Sequence, residues 1–129
     1  MLEERAKRVL VVEDDKDIRE SLDFLLTSEG YAVSTAPDGA TALQWLTGNP
    51  PPCVVILDLM MPRMSGWELC AAMAADPRLR DIPVLVITAS GTNVVADLPR
   101  HMVRAVLTKP IDVDKLMDVV ATACPGAGR

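Results

Sequence analysis

A doubly wound α/β sandwich around a five-stranded parallel sheet is the fold this sequence predicts, and three observations predict it. Apolar runs of strand length alternate with segments of helical spacing five times along the chain. Most of those runs are apolar at successive positions, as strands covered on both faces require. The 129 residues suit one domain with one core. An alternation of this kind joins its parallel strands by right-handed crossovers.

The first run, Val9-Leu10-Val11-Val12, is mostly β-branched and stops at Glu13-Asp14-Asp15. Ile18, Leu22, Leu25 and Leu26 then recur at i, i+4, i+7 and i+8, and Glu29-Gly30 supplies a stop, which predicts an amphipathic helix over 16–29. Tyr31 to Thr35 alternates like an edge strand with one wet face. Asp38-Gly39 starts a second helix carrying Leu43 and Leu46, ended by Asn49-Pro50-Pro51-Pro52. Cys53 to Leu57 is a buried strand stopped by Asp58. Ser65-Gly66-Trp67-Glu68 has the form of a capping box, so a third helix starts there and buries Leu69, Ala72 and Met73. Pro83 to Ile87 is the next buried strand, ending at Thr88. Val103 to Leu107 forms the last, ending near Thr108-Lys109-Pro110. Asp112 caps a final helix whose Val113, Leu116, Met117, Val120 and Cys124 repeat at helical intervals.

Composition narrows the function. Hydrophobic residues make up 50% and charged residues 24%, which excludes a disordered or fibrous chain, and aromatics at 3% leave the core to aliphatic side chains and Met. With 18 acidic against 13 basic residues the net charge is −5, which excludes non-specific nucleic-acid binding as the main activity. No apolar run approaches the ~20 residues of a membrane span, and Met-Leu-Glu-Glu-Arg lacks a signal peptide's apolar segment. The expected location is therefore the cytoplasm. Cys53, Cys70 and Cys124 agree with it, being expected as three separate buried thiols with no disulfide and no metal spacing. His101 is the only histidine, which removes catalysis that pairs a histidine with Ser or Cys. Trp45 and Trp67 are expected as partly buried packing residues, and the methionines as core filler or loop contacts.

Polar residues interrupt the apolar strands at one recurrent place: Glu13-Asp14 after the first, Asp58 after the third, Thr88 after the fourth and Lys109 after the fifth. Ligands of open parallel sheets bind outside the carboxyl ends of the strands, so these side chains should converge on one crevice. Taken singly, the acidic run is a helix N-terminal cluster, Asp58 a turn cap, Thr88 a strand end and Lys109 a solvated loop residue. Their order at four strand ends selects the functional reading.

Val11-Val12-Glu13-Asp14-Asp15, Asp58 followed by Met61-Pro62 and Gly66, Thr88-Ala89 and Lys109-Pro110 together resemble the receiver domain of two-component response regulators. The resemblance runs from about Arg8 to Cys124 and covers nearly the whole chain. It implies a flavodoxin-like sheet of order 2-1-3-4-5 with about five helices, phosphorylation on an aspartate, and a cis bond between Lys109 and Pro110.

The residues fit that chemistry. Converging carboxylates repel one another unless a hard divalent cation sits among them, and Mg²⁺ takes one or two carboxylates, waters and phosphate oxygen. Asp14, Asp58 and the Met60 carbonyl are expected as direct ligands and Glu13 through water, with Asp15 a helix cap. Asp58, ending the central strand, is the expected phosphoacceptor. Lys109 neutralises phosphoryl oxygens and the Thr88 hydroxyl donates to one of them. With no Gly-rich nucleotide loop in the chain, the donor is expected to be the phosphohistidine of a sensor histidine kinase or histidine phosphotransfer protein. A downstream effector protein reads the result, while nucleic acid and membrane are not expected partners.

The pattern departs from the family in three places. Where receivers carry Tyr or Phe three residues before the lysine, this chain has Val106, which has no ring to swing. Gly91, Pro99 and weak periodicity predict a short or displaced fourth helix near Thr92 to Leu98. Only Pro125-Gly126-Ala127-Gly128-Arg129 follows the final helix, so the expectation is a single receiver domain over 1–129, with a core of about 8–124 and a flexible tail over 125–129, either stand-alone, the reading favoured, or cut from a larger protein with the tail as the start of a linker.

The function expected is a phosphorylation-controlled switch of partner binding that is not an enzyme but assists its own phosphorylation and dephosphorylation. A phosphorelay intermediate or phosphate sink needs the same residues and less readout. A Mg²⁺-dependent aspartyl-phosphate phosphatase would need a second carboxylate two residues after Asp58, where this chain has Met60. An interaction module that is never phosphorylated would not need the full set of Glu13, Asp14, Asp58, Thr88 and Lys109. Met60 and Ser90 flank the crevice and are expected to gate water.

Overall fold

The strand-length runs become β1 (Arg8–Val12), β2 (Ala32–Ala36), β3 (Val54–Asp58), β4 (Val84–Thr88) and β5 (Val103–Thr108) in a computed structural model that describes residues 7–89 and 97–124. The described helices are α1 (Lys16–Ser28), α2 (Gly39–Gly48), α3 (Gly66–Ala74) and α4 (Val113–Ala123). All strand pairs are parallel, and the sheet order is β2-β1-β3-β4-β5. That is the flavodoxin-like order the resemblance implied.

The continuous apolar strands are explained by what covers them. Alternate side chains Leu10, Val12, Val55, Leu57, Val84 and Val86 pack with Leu46 of α2 and with Leu69 and Met73 of α3. Their neighbours in sequence, Val9, Val11, Ile56 and Ile87, join Leu22 and Leu26 of α1 and Leu116 and Val120 of α4 on the opposite face. Each large aliphatic side chain buried this way is worth roughly 1.5–3 kcal/mol. β2 has only β1 beside it and is more exposed than the central strands, but its burial does not follow the alternation expected: Ala32 and Thr35, on opposite faces, are exposed, and Val33 and Ser34 are half-buried.

All four helix starts follow the sequence. Asp15, Asp38, Ser65 and Asp112 accept the amides of Ile18, Thr41, Glu68 and Lys115, and Glu68 reaches back to the Ser65 amide to complete the capping box. Each cap contributes about 1 kcal/mol. Gly30, at φ 95°, reverses the chain after α1 in a conformation other residues rarely adopt.

Several expectations need correction. Cys53 and Cys124 are not separate thiols: they form a disulfide across 71 residues of sequence, with Cα atoms 5.3 Å apart. The chain enters β3 beside the point where α4 ends, a proximity that sequence spacing does not encode. Only Cys70 is the free buried thiol expected, its pKa pushed up to about 12 by burial. The cysteines therefore no longer speak for a reducing compartment. Val113 lies at the mouth of α4 and is 42% exposed, outside the apolar stripe that Leu116 and Val120 fill. Ala72 is half-buried, on the flank of the face of α3 that Leu69 and Met73 occupy.

The fourth helix expected near Thr92 to Leu98, with Gly91, lies mostly outside the described residues, as do Ser90 and the tail over 125–129. What is described there is a turn closed by Pro99, whose carbonyl accepts the amides of Met102 and Val103, with Leu98 and Met102 buried beneath it.

Candidate functional site

Each strand that ends in a polar residue delivers it to the same end of the sheet. The Glu13 amide donates to the Ala36 carbonyl (3.0 Å), which carries the β1–β2 pairing one residue past the strand and points the chain into the crevice. Asp58 closes β3 opposite Ile87 of β4, and Thr88, the next residue, is buried at the tip of β4. The Lys109 amide donates to the Thr88 carbonyl (2.9 Å), which fixes the start of the loop after β5, and the Lys109–Pro110 bond is cis as the resemblance implied.

The side chains meet closely. One carboxylate oxygen from each of Glu13, Asp14 and Asp58 lies within 4.8 Å of the other two. Lys109 Nζ stands between two of them, 3.1 Å from Glu13 Oε1 and 3.2 Å from Asp58 Oδ2. The other oxygen of Asp58 accepts the Met60 amide at 3.1 Å. Glu13 Oε2 accepts the Asp15 amide at 3.0 Å, while Glu13 Oε1 is buried with no aligned hydrogen-bond donor.

Electrostatics explains what this arrangement demands. Three carboxylates face one ammonium, and at an effective dielectric of about 20 like charges at such separations repel by about 3 kcal/mol per pair. Burial pushes the Glu13 carboxyl up to about 7 and the Asp58 charge adds to it, against the Asp15 amide and Lys109, which pull the other way. Lys109 is held above its ordinary value: desolvation would lower it, but Glu13 and Asp58 outweigh that cost. A buried carboxylate oxygen whose only close partner is the shared, poorly aligned Lys109 ammonium, and an excess of carboxylate charge, are what a divalent cation would satisfy, and oxygen donors of this kind suit Mg²⁺.

Asp14 is exposed at the rim, beside a groove lined by Met60, Met61, Pro62 and Trp67. Met60 is 61% exposed. Val106 is half-buried against the core on the α2–α3 face. Trp45 and Trp67 are both half-buried, as expected of packing residues, and Arg8 stacks over Trp45 at 5.7 Å. His101 is exposed and its Nε2 lies 3.1 Å from the Arg80 carbonyl, away from the crevice residues in its contacts.

Two contacts that sequence reading missed shape the crevice. Arg19, one turn into α1, donates from Nη1 to the carbonyls of Glu13 (2.9 Å) and Asp14 (3.3 Å), holding the acidic loop from behind. Its position one turn after the Asp15 cap is the signal that would have found it. The second is a clasp between the β3–α3 loop and the start of α2. Arg63, at φ 66°, places Nη2 2.7 Å from Asp38 Oδ2 and donates to Thr41 Oγ1 at 3.2 Å, and the Gly39 amide donates to the Met64 carbonyl. A Cβ at Gly66 would come within 2.7 Å of Leu59 Cα and 2.9 Å of the Asp58 carbonyl, so only glycine lets α3 start this close to the end of β3.

Burial alone would raise the Asp38 carboxyl, but the Thr41 amide and hydroxyl and the Arg63 guanidinium hold it below its ordinary value of 3.8. A depressed folded-state value means that its contribution is fully present above the unfolded value and disappears as pH falls through the folded one. Asp38→Asn is therefore expected to lose about 1 kcal/mol of stability at neutral pH while keeping the helix cap. In urea titrations at stepped pH, the gap from wild type should close below about pH 4. A gap that stays constant into acid would show that the charge of Asp38 is not what stabilises.

Comparison with known proteins follows the same lines. A family model described as the response regulator receiver domain matches residues 9–121. Response regulator MprA of Mycobacterium sp. is 46% identical over 82 residues, 64% of this chain and 34% of that protein. Response regulator PleD of Caulobacter vibrioides is 42% identical over 106 residues, 81% of this chain and 23% of that protein. The chain thus spans about a third or less of the length of these relatives. Among solved structures, the signal receiver domain of a signal transduction histidine kinase from Syntrophus aciditrophicus superposes with a TM-score of 0.82 at 30% identity, covering 93% of this chain and 91% of that one. A response regulator receiver protein from Pseudomonas putida gives 0.82 at 28% identity, with 89% and 95% covered.

Proposed function

The chain belongs to the response regulator receiver family, and on that premise we propose that Asp58 is its phosphoacceptor, supplied by the phosphohistidine of a sensor histidine kinase or a histidine phosphotransfer protein. It is a signalling domain of two-component phosphorelays. The observation that carries the assignment is a single carboxylate, 3% exposed, at the tip of the central strand, with Lys109 Nζ on one oxygen and the Met60 amide on the other.

Asp14, Asp58 and the Met60 carbonyl would hold Mg²⁺ with Glu13 behind them, and the ion would supply positive charge for the phosphoryl oxygens. The chain's own residues do the rest. Lys109, kept cationic by its two carboxylate neighbours, is placed to take over charge from Asp58 as a phosphoryl group arrives. Thr88, at the neighbouring strand tip, has a hydroxyl that can report the new group to the segment beyond β4. A phosphoryl group adds about −1.5 to −2 charges, enough to re-weight two conformations of a loop held by a few ion pairs.

A downstream effector protein is the proposed reader, the cytoplasm the proposed location, and residues 1–129 one receiver domain with a core of about 8–124. Among the described residues no helix is long and apolar enough to cross a membrane. The half-buried Val106, which offers no aromatic ring for readout, favours a phosphorelay intermediate as the second reading. Incubation with acetyl phosphate and Mg²⁺, followed by intact-mass measurement and peptide mapping, is expected to show one phosphoryl group on Asp58. No gain, or a gain mapped to another residue, would overturn the assignment.

A further inference from the structure

We infer that Arg63, anchored on Asp38, is a positioning residue that sets the Met60 carbonyl for the cation. The inference rests on the reading of Glu13, Asp14, Asp58 and Met60 as the Mg²⁺ site. The loop that carries Met60 is anchored at its two ends. Leu59 is buried and its carbonyl accepts the Gly66 amide at 2.9 Å, so Met60 to Ser65 project from a closed neck. The Met60 amide is tied to Asp58 Oδ1, so the direction of the next peptide group depends on where the loop tip is held.

The tip is held by the start of α2. Met64 turns back through its amide to the Pro62 carbonyl (2.8 Å), its own carbonyl takes the Gly39 amide (3.1 Å), and Arg63 makes the Asp38 and Thr41 contacts. A Cβ at Gly39 would collide with the Met64 carbonyl, so the two segments touch backbone to backbone. Asp38 is 5% exposed and already caps α2, which makes it a rigid anchor, whereas the Arg63 side chain is 65% exposed and reaches in from solvent. Arg63 also sits at φ 66°, a left-handed conformation that costs a non-glycine residue of order 1–2 kcal/mol. The Asp38 and Thr41 contacts are what the side chain supplies against that backbone cost and what glycine would lack.

The sign of the effect separates positioning from simple charge. A guanidinium in a loop beside a cation site repels the cation, so on charge alone its removal would tighten Mg²⁺ binding. Positioning predicts the reverse. Arg63→Gly relieves the backbone and removes the clasp, and is expected to raise the Mg²⁺ dissociation constant, measured by calorimetry with Mg²⁺ alone, roughly five-fold. In acetyl phosphate reactions the half-saturating Mg²⁺ concentration should rise by a similar factor, while the rate at saturating Mg²⁺ changes much less.

Arg63→Lys, which keeps a cation within reach of Asp38, should recover part of the affinity. Asp38→Asn should weaken Mg²⁺ binding as Arg63→Gly does, and the double variant no further, since both break one contact. Unchanged or tighter binding by Arg63→Gly, or full additivity in the double variant, would overturn the inference. Asp14→Asn is the control on the underlying site: if it leaves Mg²⁺ binding intact, the site reading fails and Arg63 is not the cause.

Discussion

Asp58→Asn is expected to abolish the phosphoryl mass gain and at the same time to raise the melting temperature of the metal-free protein. Loss of phosphorylation follows from chemistry, because the amide has no nucleophilic carboxylate oxygen. The gain in stability follows from the crowding of charge. Asp58 is almost fully buried, within 4.8 Å of two other carboxylates, and shares Lys109 with Glu13. The amide keeps one oxygen as acceptor for the Met60 amide, loses the second oxygen that faces Lys109, and removes one desolvated charge, so Glu13 is then free to use Lys109 alone. An increase of about 1 kcal/mol, or about 4 °C, is expected by thermal melting in chelator. Added Mg²⁺ should shrink the difference, since the ion stabilises the three-carboxylate site more than the two-carboxylate one. Equal melting temperatures in chelator would mean that the crevice is already relaxed without a cation.

Opening the Cys53–Cys124 disulfide is expected to cost more stability than any other single change proposed. The bridge closes a loop of 71 residues that contains, among the described residues, β3, α3, β4, β5 and α4. On chain entropy such a loop is worth about 4 kcal/mol, most of the margin of a small domain. Denaturant unfolding with and without reductant measures it directly, and Cys53→Ser should match the reduced wild type. Phosphorylation should survive reduction in protein that remains folded, because the bridge joins the start of β3 to the end of α4 and Asp58 lies at the other end of β3. A midpoint that ignores reductant would show that the thiols contribute through packing alone.

What the sequence could and could not disclose divides by distance along the chain. Val9–Val12 and Val54–Leu57 are apolar at every position, so their strand character and burial on both faces were legible from a few residues each, and so were the caps at Asp15, Ser65 and Asp112. The convergence of Glu13, Asp14, Asp58 and Lys109 was legible because the fold class itself gathers strand tips. The pairing of Cys53 with Cys124 and the clasp of Arg63 on Asp38 were not, since each joins segments whose approach is set by packing. Asp38 was visible as a helix start but not as an anchor. Gly66 was visible as part of a capping box but not as the point where α3 presses on β3.

The bridge also gives the C-terminal helix a fulcrum. α4 begins four residues after Lys109 and ends at the bridged Cys124, so it spans 11 residues, about 16 Å, with its far end at the reactive crevice. A tilt of a few degrees moves the exposed Val113 by about 1 Å while Val120 hardly stirs. A displacement passed from Lys109 to the start of the helix would thus show as surface travel at one end of it, and opening the bridge would release the other end.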